Sequence, residues 1–293
     1  MIKNRKKILR ILIIVLLTIV LVGWIAWGNK ALVVTKYTVL NPDLPAPFSG
    51  FRIAQISDLH NDEFGENNEK LVAMLKGLKP DIIAITGDLI DYYDTNMDVS
   101  LSFVAEIIQI APCYYVPGNH EAKIDSYDQF RLGLKQLGVY MLENKSAILE
   151  RDGETITLLG AKDPAFLSKI FFPDKRKKTE REDDIIMDLI LRQLCRNEAG
   201  YQLLLSHRPD QIDVYAKYDI DLVLTGHKHG AQFRLPYLGG LFTPSDGFFP
   251  AYDAGVYNQD DTTMIVSRGL GNSTFPFRIN NRPEVVLIEL QTK

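Results

Sequence analysis

Two histidines, His227 and His229, lie one residue apart in the glycine-flanked segment Thr225-Gly226-His227-Lys228-His229-Gly230. The apolar run Leu222-Val223-Leu224 precedes this segment and predicts a buried strand. Loops at the carboxyl ends of strands carry the chemistry of α/β proteins, so we expect both imidazoles to lie above a sheet. Every histidine of the chain follows a predicted strand in this way: His60, His120, His207, His227 and His229. Their shared placement predicts one polar site built from several strand ends.

Strand and helix patterns alternate from residue 51 onward. Residues 51–56, 81–86 and 113–116 have strand character, and residues 67–79 and about 99–110 between them have helical spacing. This alternation predicts an α/β fold with parallel strand pairs joined by right-handed crossovers. An antiparallel hairpin is predicted across Asp152-Gly153. Further strands are predicted at residues 201–205, 222–224, 263–267 and 284–290.

Residues 1–29 combine a basic tract with an apolar stretch. Residues 11–27 carry no charge, and with residues 8 and 9 the apolar stretch reaches about 20 residues, or ~30 Å of helix, enough to cross a bilayer. Trp24 and Trp27 lie at its far end, where an interfacial aromatic belt is expected. We predict an uncleaved transmembrane anchor. A cleaved signal peptide is the alternative, since Ala26 and Gly28 offer a weak cleavage site.

The basic residues before the span also predict its orientation. They place the N-terminus in the cytoplasm and the main domain on the outer face of the cell membrane, in a single-pass protein. Residues 30–50 contain three prolines, Pro42, Pro45 and Pro47, and are predicted to form an extended linker. Residues 51–293 are predicted to form one domain that carries the polar site.

The charge of the chain beyond the anchor argues against nucleic acid as a partner. Residues 1–29 hold five of the 33 basic residues and no acidic one, so the remainder has 28 basic against 37 acidic residues, a net charge of −9. Such a domain lacks the basic excess that neutralises nucleic-acid phosphates. Cys113 and Cys195 lie in unrelated contexts and form neither a metal-ligand cluster nor a disulfide framework. Any phosphate that the domain recognises therefore needs a local positive site, such as metal ions.

The polar residues at the strand ends form a mixed set of oxygen and nitrogen donors: Asp58, His60, Asp88, Asn119, His120, His207, His227 and His229. Such a set suits Mn, Fe or Zn better than Ca or Mg. One catalytic ion usually takes about three protein ligands, so these residues divide over two ions that share a carboxylate. Two ions ~3.5–4 Å apart activate a water molecule and neutralise a phosphoryl group. The sequence therefore predicts a dinuclear site that acts on phosphate.

Five short blocks within this set resemble the signature of the calcineurin-like metallophosphoesterases, nearest to their membrane-anchored bacterial branch. The blocks follow the family's order: Asp58-x-His60, Gly87-Asp88, Gly118-Asn119-His120-Glu121, Ser206-His207 and Gly226-His227-Lys228-His229. One block alone is a weak signal, whereas five blocks that each follow a strand are specific. The branch includes enzymes that cleave UDP-diacylglucosamine-type pyrophosphates. The resemblance implies a β-sandwich of mixed sheets flanked by helices, in four layers α/β/β/α, preceded by one N-terminal transmembrane helix.

The resemblance also implies a role for each residue in the blocks. It assigns the metal ligands as Asp58, His60 and His229 on the first ion, Asn119, His207 and His227 on the second, and Asp88 as the bridge. His120 is implied to be a proton donor or a phosphate contact. Beside this assignment, Glu121 is expected to support its turn or His120, and Arg208 and Arg268 either contact substrate phosphate or form surface ion pairs.

The expected function is hydrolysis of a phosphodiester or pyrophosphate bond by attack of a metal-bridging hydroxide. Two divalent ions, Mn, Fe or Zn, are the expected cofactors. The anchor raises the local concentration of lipid-linked or cell-envelope substrates, which favours them over soluble nucleotides. Two alternatives stay open: a membrane-tethered, non-catalytic metal-binding module, and a nuclease, which the charge of −9 and the anchor disfavour.

Overall fold

Two six-stranded mixed sheets pack face to face in this computed structural model, which describes residues 2–172, 180–196, 200–244, 246–273 and 275–293. The first sheet has, in spatial order, the strands β1 (Val33–Asn41), β16 (Glu284–Thr292), β2 (Arg52–Ile56), β3 (Ile82–Ile85), β4 (Cys113–Tyr115) and β5 (Tyr140–Met141). The second has β14 (Gly255–Gln259), β15 (Thr262–Val266), β9 (Leu222–Thr225), β8 (Gln202–Leu205), β7 (Glu154–Gly160) and β6 (Lys145–Arg151). Five strands precede the predicted site residues. Within the first sheet β2, β3 and β4 are parallel, and within the second sheet β8 and β9 are parallel. Their carboxyl ends therefore meet at one edge of each sheet.

Helices cover the outer faces of both sheets. Those of the domain are α2 (Glu69–Leu78), α3 (Asp98–Ile107), α4 (Tyr127–Gln136), α5 (Ala165–Phe171), α6 (Glu180–Leu194) and α7 (Ile212–Ala216). Residues of α2, α3 and α4 share a buried cluster with the outward side chains of the first sheet. Residues of α6 and α7 share another with the second sheet. The predicted four-layer α/β/β/α arrangement is confirmed.

The central strands have continuous apolar sequences because one face packs in the core between the sheets and the other packs against helices. In β9, Leu222 and Leu224 point into the space between the sheets, and Val223 points outward to the helices. In β3, Ala84 points inward, whereas Ile83 and Ile85 pack under α2 and α3. Strands that are buried on both faces lose the alternation of apolar and polar residues that marks a half-exposed strand.

The predicted linker at residues 30–50 is wrong, because the first half of that segment is a strand. β1 (Val33–Asn41) pairs in parallel with β16 across nine residue positions at the edge of the first sheet. After the strand, Leu44 and Phe48 are buried in the core between the sheets. The three prolines lie after the strand and not within it, so they end the pairing without preventing it.

The N-terminal helix α1 (Ile2–Lys30) runs directly into the domain. Its segment Asn4–Lys30 is long and apolar enough to cross a membrane, and none of its most apolar window is buried in the domain. The last turn of α1 makes direct contacts: Asn29 hydrogen-bonds to the backbone of Arg278 through both atoms of its side-chain amide, and Lys30 pairs with Asp62. The helix is thus joined to the domain by specific hydrogen bonds at its end.

Two short hairpins follow the last site residues. They are formed by β10 (Arg234–Leu235) with β11 (Gly239–Gly240), and by β12 (Phe242–Thr243) with β13 (Gly247–Phe248). Their exposed apolar side chains include Tyr237, Leu238 and Phe248. Phe242 and Thr243 line the cavity described below, so these hairpins form part of its wall.

Candidate metal centre

The loops after β2, β3, β4, β8 and β9 bring all eight predicted site residues to one place. Asp58, Asp88 and His207 are essentially fully buried, and His227 is partly buried. The remaining four residues have only a small exposed fraction: His60, Asn119, His120 and His229. Five of the seven predicted ligands have a positive φ, between 48° and 71°: Asp58, His60, Asp88, His227 and His229. Residues other than glycine rarely adopt this conformation, and it is concentrated where tertiary structure holds functional side chains in place.

One group of donor atoms is formed by Asp58, His60 and His229, whose ligand atoms all lie within 4.8 Å of one another. The Nε2 atom of His229 lies 3.3 Å from Oδ1 of Asp58 and 3.1 Å from Nε2 of His60. Nδ1 of His229 faces the carbonyl oxygen of Gly271 at 3.2 Å and donates to it, which leaves Nε2 with a free lone pair. This group therefore presents a carboxylate and two imidazoles to one point.

A second group is formed by Asp88, His207 and His227. Nε2 of His207 lies 3.1 Å from Oδ2 of Asp88, and Nδ1 of His207 donates to the carbonyl oxygen of Thr86 at 2.7 Å. Asn119 lies in the neighbouring loop, and its buried Oδ1 atom has no hydrogen-bond partner among the described residues. An unpaired buried amide oxygen is costly unless a ligand satisfies it, so Asn119 fits the predicted role as an oxygen ligand.

The two groups adjoin each other at Asp88. Its Oδ2 atom lies 3.8 Å from Nε2 of His60, a member of the first group, as well as 3.1 Å from His207 in its own. In the other direction, Oδ1 of Asp58 lies 4.0 Å from Nε2 of His207. Asp88 therefore occupies the position between the groups that the bridging role requires.

The electrostatics of the cluster also fit cations. In the part of the chain that the structure describes, neither Asp58 nor Asp88 forms an ion pair with Lys or Arg, although both are buried. Burial acts to lower the pKa of His207, but the adjacent Asp88 carboxylate outweighs it and raises that pKa to about 10. A proton on His207 thus balances the negative charge of Asp88, a role that a bound metal ion would also fill. Two buried carboxylates beside converging nitrogen lone pairs are a suitable site for divalent transition metals.

The other three imidazoles in the two donor groups are held neutral. Burial lowers the pKa of His229 to about 4, and it lowers the pKa of His60 well below the usual value. The pKa of His227 is also well below the usual value, because of burial and the neighbouring Arg208 guanidinium. Metal ions bind the neutral form of imidazole, so these rings are ready to coordinate without first losing a proton.

His120 lies at the edge of the cluster rather than within either group. Its Nδ1 atom accepts the backbone N–H of Tyr92 at 3.2 Å, so in the neutral ring the proton lies on Nε2, 3.9 Å from Oδ2 of Asp88. Burial opposes protonation of this ring, but the Asp88 and Asp91 carboxylates outweigh it and raise the pKa of His120 above its usual value. His120 also lines the cavity of about 210 Å³ that opens onto the cluster. It is therefore placed to hold a proton where a substrate enters.

Two residues that hold the cluster, Asp163 and Asn281, could not be predicted from the sequence. Asp163, which is buried, forms a two-pronged ion pair with Arg208, and Arg208 in turn lies 3.2 Å from Nε2 of His227. Asn281 donates to the carbonyl oxygen of His229 at 2.6 Å. Arg208 thus forms an ion pair inside the site, while Arg268 pairs with Glu284. No motif marks Asp163 or Asn281, because each acts on a residue far away in the sequence.

Glu121 joins the loops that carry Asp88 and Asn119. Its buried carboxylate accepts the backbone N–H groups of Asp88 at 2.9 Å, Ile90 at 3.2 Å and Gly118 at 2.8 Å. Burial, followed by the nearby Asp88 carboxylate, raises the pKa of Glu121 to about 7. The expectation that Glu121 supports its turn agrees with these contacts.

Replacing Glu121 by alanine is expected to reduce the free energy of unfolding by at least about 3 kcal/mol, because three buried N–H groups lose their acceptor. Urea unfolding of the full-length protein in detergent micelles, followed by circular dichroism, measures this change. Glu106 is exposed on α3, and Glu106→Ala is the matched control, expected to stay within about 0.5 kcal/mol of the unmodified protein. Equal losses in both variants would show that the three hydrogen bonds of Glu121 contribute nothing specific.

Comparisons with known proteins agree with this geometry. The family model described as calcineurin-like phosphoesterase matches residues 51–231. The uncharacterized metallophosphoesterase YkuE of Bacillus subtilis is 28% identical over 265 residues, covering 88% of this chain and 85% of the relative. Phosphodiesterase YaeI of Escherichia coli K12 is 27% identical over 250 residues and covers 82% of each chain. A transmembrane protein with metallophosphoesterase domain from Danio rerio is 28% identical over 85% of this chain, which spans 55% of that longer protein.

A solved structure supports the fold. The protein TT1561 of Thermus thermophilus superposes with a TM-score of 0.51 at 15% identity, covering 76% of this chain and 91% of that one. At this identity the likeness concerns the fold alone. The family match, by contrast, covers more than half of this chain and includes all five blocks that carry the donor atoms. The chain therefore belongs to the calcineurin-like phosphoesterase family and is a metal-dependent phosphoester hydrolase that uses two divalent metal ions.

Proposed function

We propose that the site holds two transition-metal ions, Mn, Fe or Zn, and cleaves a phosphodiester or pyrophosphate bond. The residues that would hold the first ion are Asp58, His60 and His229, those that would hold the second are Asn119, His207 and His227, and Asp88 would be shared by the two. The observation that carries the proposal is the contact of two donor groups at Asp88. Once bound, two divalent ions lower the pKa of a coordinated water molecule and neutralise the charge of the phosphoryl group.

The protein's own groups determine how such a site works. Asp58 and Asp88 offset part of the charge of two divalent ions and leave an excess that attracts a phosphate anion. Asn119 contributes a neutral oxygen and so preserves that excess. Gly271 and Thr86 orient His229 and His207 through their carbonyl oxygens, as outer groups orient metal-binding imidazoles elsewhere. His120 would donate a proton to the departing oxygen, since it lines the cavity and its Nε2 atom lies 3.9 Å from Oδ2 of Asp88.

Replacing His120 by glutamine tests this proton donation. We expect the turnover of an alkyl phosphodiester to fall about a hundredfold or more, because its leaving alkoxide needs a proton. The turnover of a nitrophenyl phosphodiester, whose leaving group is stable as an anion, should fall much less. Elemental analysis should find the same metal content in the variant and the unmodified protein. Equal losses with both substrates would instead assign His120 to positioning the phosphate.

The proposed substrate is a lipid-linked or cell-envelope molecule. Two observations support it: α1 ends in hydrogen bonds with the loop at Arg278, and the same loop supplies the Gly271 carbonyl oxygen that orients His229. The catalytic residues would therefore lie a short distance from the membrane surface. The basic residues before the span favour a cytoplasmic N-terminus and a catalytic domain on the outer face of the cell membrane.

The substrate proposal is tested with the full-length protein in lipid nanodiscs loaded with Mn²⁺. Two substrates with the same scissile bond are compared, one carrying acyl chains and one water-soluble, and kcat/KM should be higher for the lipid. Equal values for both would remove the lipid-linked substrate but leave the hydrolase intact. Metal-loaded protein that is inert toward monoesters, diesters and pyrophosphates alike would instead favour a non-catalytic binding module. Strong, salt-sensitive cleavage of oligonucleotides would favour a nuclease.

A further inference from the structure

A second cavity lies at the junction between the anchor helix and the domain. It measures about 330 Å³, within the range of small-molecule sites of about 300–1,000 Å³, and none of the residues that line it lines the cavity above the metal centre. Its walls come from the last turns of α1, the first residue of β1 and the segment between β15 and β16. The lining residues that matter below are Trp24, Trp27, Arg268, Arg278, Asn280, Asn281 and Arg282. We refer to it as the junction cavity.

The junction cavity is positively charged. Three arginines line it, and one carboxylate, that of Glu284, pairs with Arg268, which leaves an excess of two positive charges. Within the described residues, no carboxylate lies within ion-pair distance of Arg278 or Arg282. Guanidinium groups without carboxylate partners attract anions, and their planar fork matches the oxygens of a phosphate group.

Arg278 is the most constrained of these arginines. Its side chain is 2% exposed, and it donates to the carbonyl oxygens of Arg268 and Gly271. Its Nε atom is buried and has no hydrogen-bond partner in the described part of the chain. A buried guanidinium with an unsatisfied donor, lining a cavity, fits a bound anion.

Arg282 connects this charge to the helix. It donates to the carbonyl oxygens of Ala31 at 2.8 Å and Leu32 at 2.7 Å, and its guanidinium lies over the ring of Trp27, 5.0 Å from its centroid. Trp24 and Trp27 are exposed at the C-terminal end of an apolar helix, the level at which aromatic residues meet lipid headgroups. The cavity therefore lies where phospholipid phosphates would lie, with the apolar side of α1 continuing toward the acyl chains.

We propose that the junction cavity binds the phosphate group of an anionic phospholipid, whose acyl chains extend along α1. The site is separate from the metal centre, but Arg278 and Asn281 line the cavity and also contact His229. A bound lipid would thus sit one side chain away from a metal-binding residue. The proposal depends on the anchor lying in a membrane and not on hydrolysis, so it can fail while the proposed function holds, and the reverse is also true.

Native mass spectrometry of the full-length protein released from detergent micelles tests the proposal. The probes are phosphatidylglycerol and phosphatidylcholine with identical acyl chains, and inorganic phosphate as the source of free anion. The basic residues near the N-terminus also attract anionic lipid, so the informative quantity is the difference between variants. Phosphatidylglycerol should bind more tightly than phosphatidylcholine, and Arg282→Gln should weaken it about fivefold. The control Arg192→Gln removes an exposed arginine on α6 and should leave binding unchanged.

A second pair of variants covers the case in which Arg282→Gln unfolds. Asn280 lines the cavity, is exposed and has a φ of 55°, so Asn280→Asp adds a negative charge with little change of shape. Asn67, also exposed with a φ of 52°, provides the matched control Asn67→Asp. Weaker binding of phosphatidylglycerol in Asn280→Asp alone supports the proposal. Three results would overturn it. The two lipids could bind equally well, the variant and its control could have equal effects, or millimolar inorganic phosphate could displace the lipid.

Discussion

Replacing Asp88 by asparagine is expected to reduce hydrolysis of an aryl phosphodiester at least about a thousandfold and to lower the metal content of the purified protein. Oδ2 of Asp88 lies 3.1 Å from Nε2 of His207 and 3.8 Å from Nε2 of His60, so one oxygen faces both donor groups. The amide has the same size but removes a negative charge from the buried cluster at the point where the two donor groups meet. Changes in groups that merely orient metal ligands cost about 10- to 100-fold, and the loss of a shared ligand should exceed that range.

The measurement is kcat/KM at saturating Mn²⁺, together with the number of metal ions per chain from elemental analysis. Asp94→Asn is the matched control, because Asp94 is exposed and undergoes the same change from carboxylate to amide. The control should retain full activity and metal content. An Asp88→Asn protein that keeps two metal ions and more than a tenth of its activity would contradict the assignment of Asp88 as the shared ligand.

The residues of the centre could be predicted because each follows its own strand closely in the sequence. Asp58 lies two residues after β2, Asp88 three after β3 and His227 two after β9, so local patterns place them at strand ends. Parallel pairing then brings the strand ends to one edge of each sheet. What local patterns do not show is the left-handed backbone at Asp58 and His60. Asp and His adopt it more often than most residue types but still rarely, so the surrounding packing decides where it occurs.

The supporting contacts could not be predicted in the same way. Asp163 pairs with Arg208 45 positions away, and Asn281 reaches the carbonyl oxygen of His229 across 52 positions. Neither residue belongs to a motif, and the sequence patterns around both residues predict loops. Side chains of this kind become visible only when the fold has determined which loops are neighbours.

The error at residues 30–50 has a related cause. Residues 33–39 contain three valines, two threonines and a tyrosine, a composition typical of a strand, but the three prolines that follow indicate an extended linker. An edge strand also needs a partner, and the partner of Val33 is Glu284, at the other end of the chain. The consequence is functional as well as structural, because a paired strand places the anchor helix against the domain, whereas a linker would let the domain move freely.

Replacing Gly226 by alanine is expected to reduce kcat/KM about a hundredfold, although the change adds a single methyl group outside the set of metal ligands. A Cβ atom at this position would lie 2.0 Å from Oγ of Ser57 and 2.3 Å from Oδ2 of Asp58. Both contacts are far too short, so either the loop after β9 or the loop after β2 must move. His227, the next residue, donates its backbone N–H to both carboxylate oxygens of Asp58 at 3.1 Å, so the displacement reaches both donor groups. Shifts of about 1 Å in such a site cost on the order of a hundredfold in rate.

The matched control is Gly77→Ala, because Gly77 lies in α2 and a Cβ atom there would meet nothing within 4 Å. Alanine in a helix is favoured over glycine by roughly 0.5–1 kcal/mol, so the control should be fully active and slightly more stable. Gly226→Ala should lose stability by about 1–3 kcal/mol, as overpacked sites do, and bind less metal at a given free concentration. A Gly226→Ala protein with normal metal affinity and normal kcat/KM would show that the close approach of the two loops is not required, and the two donor groups would then have to be treated as independent sites.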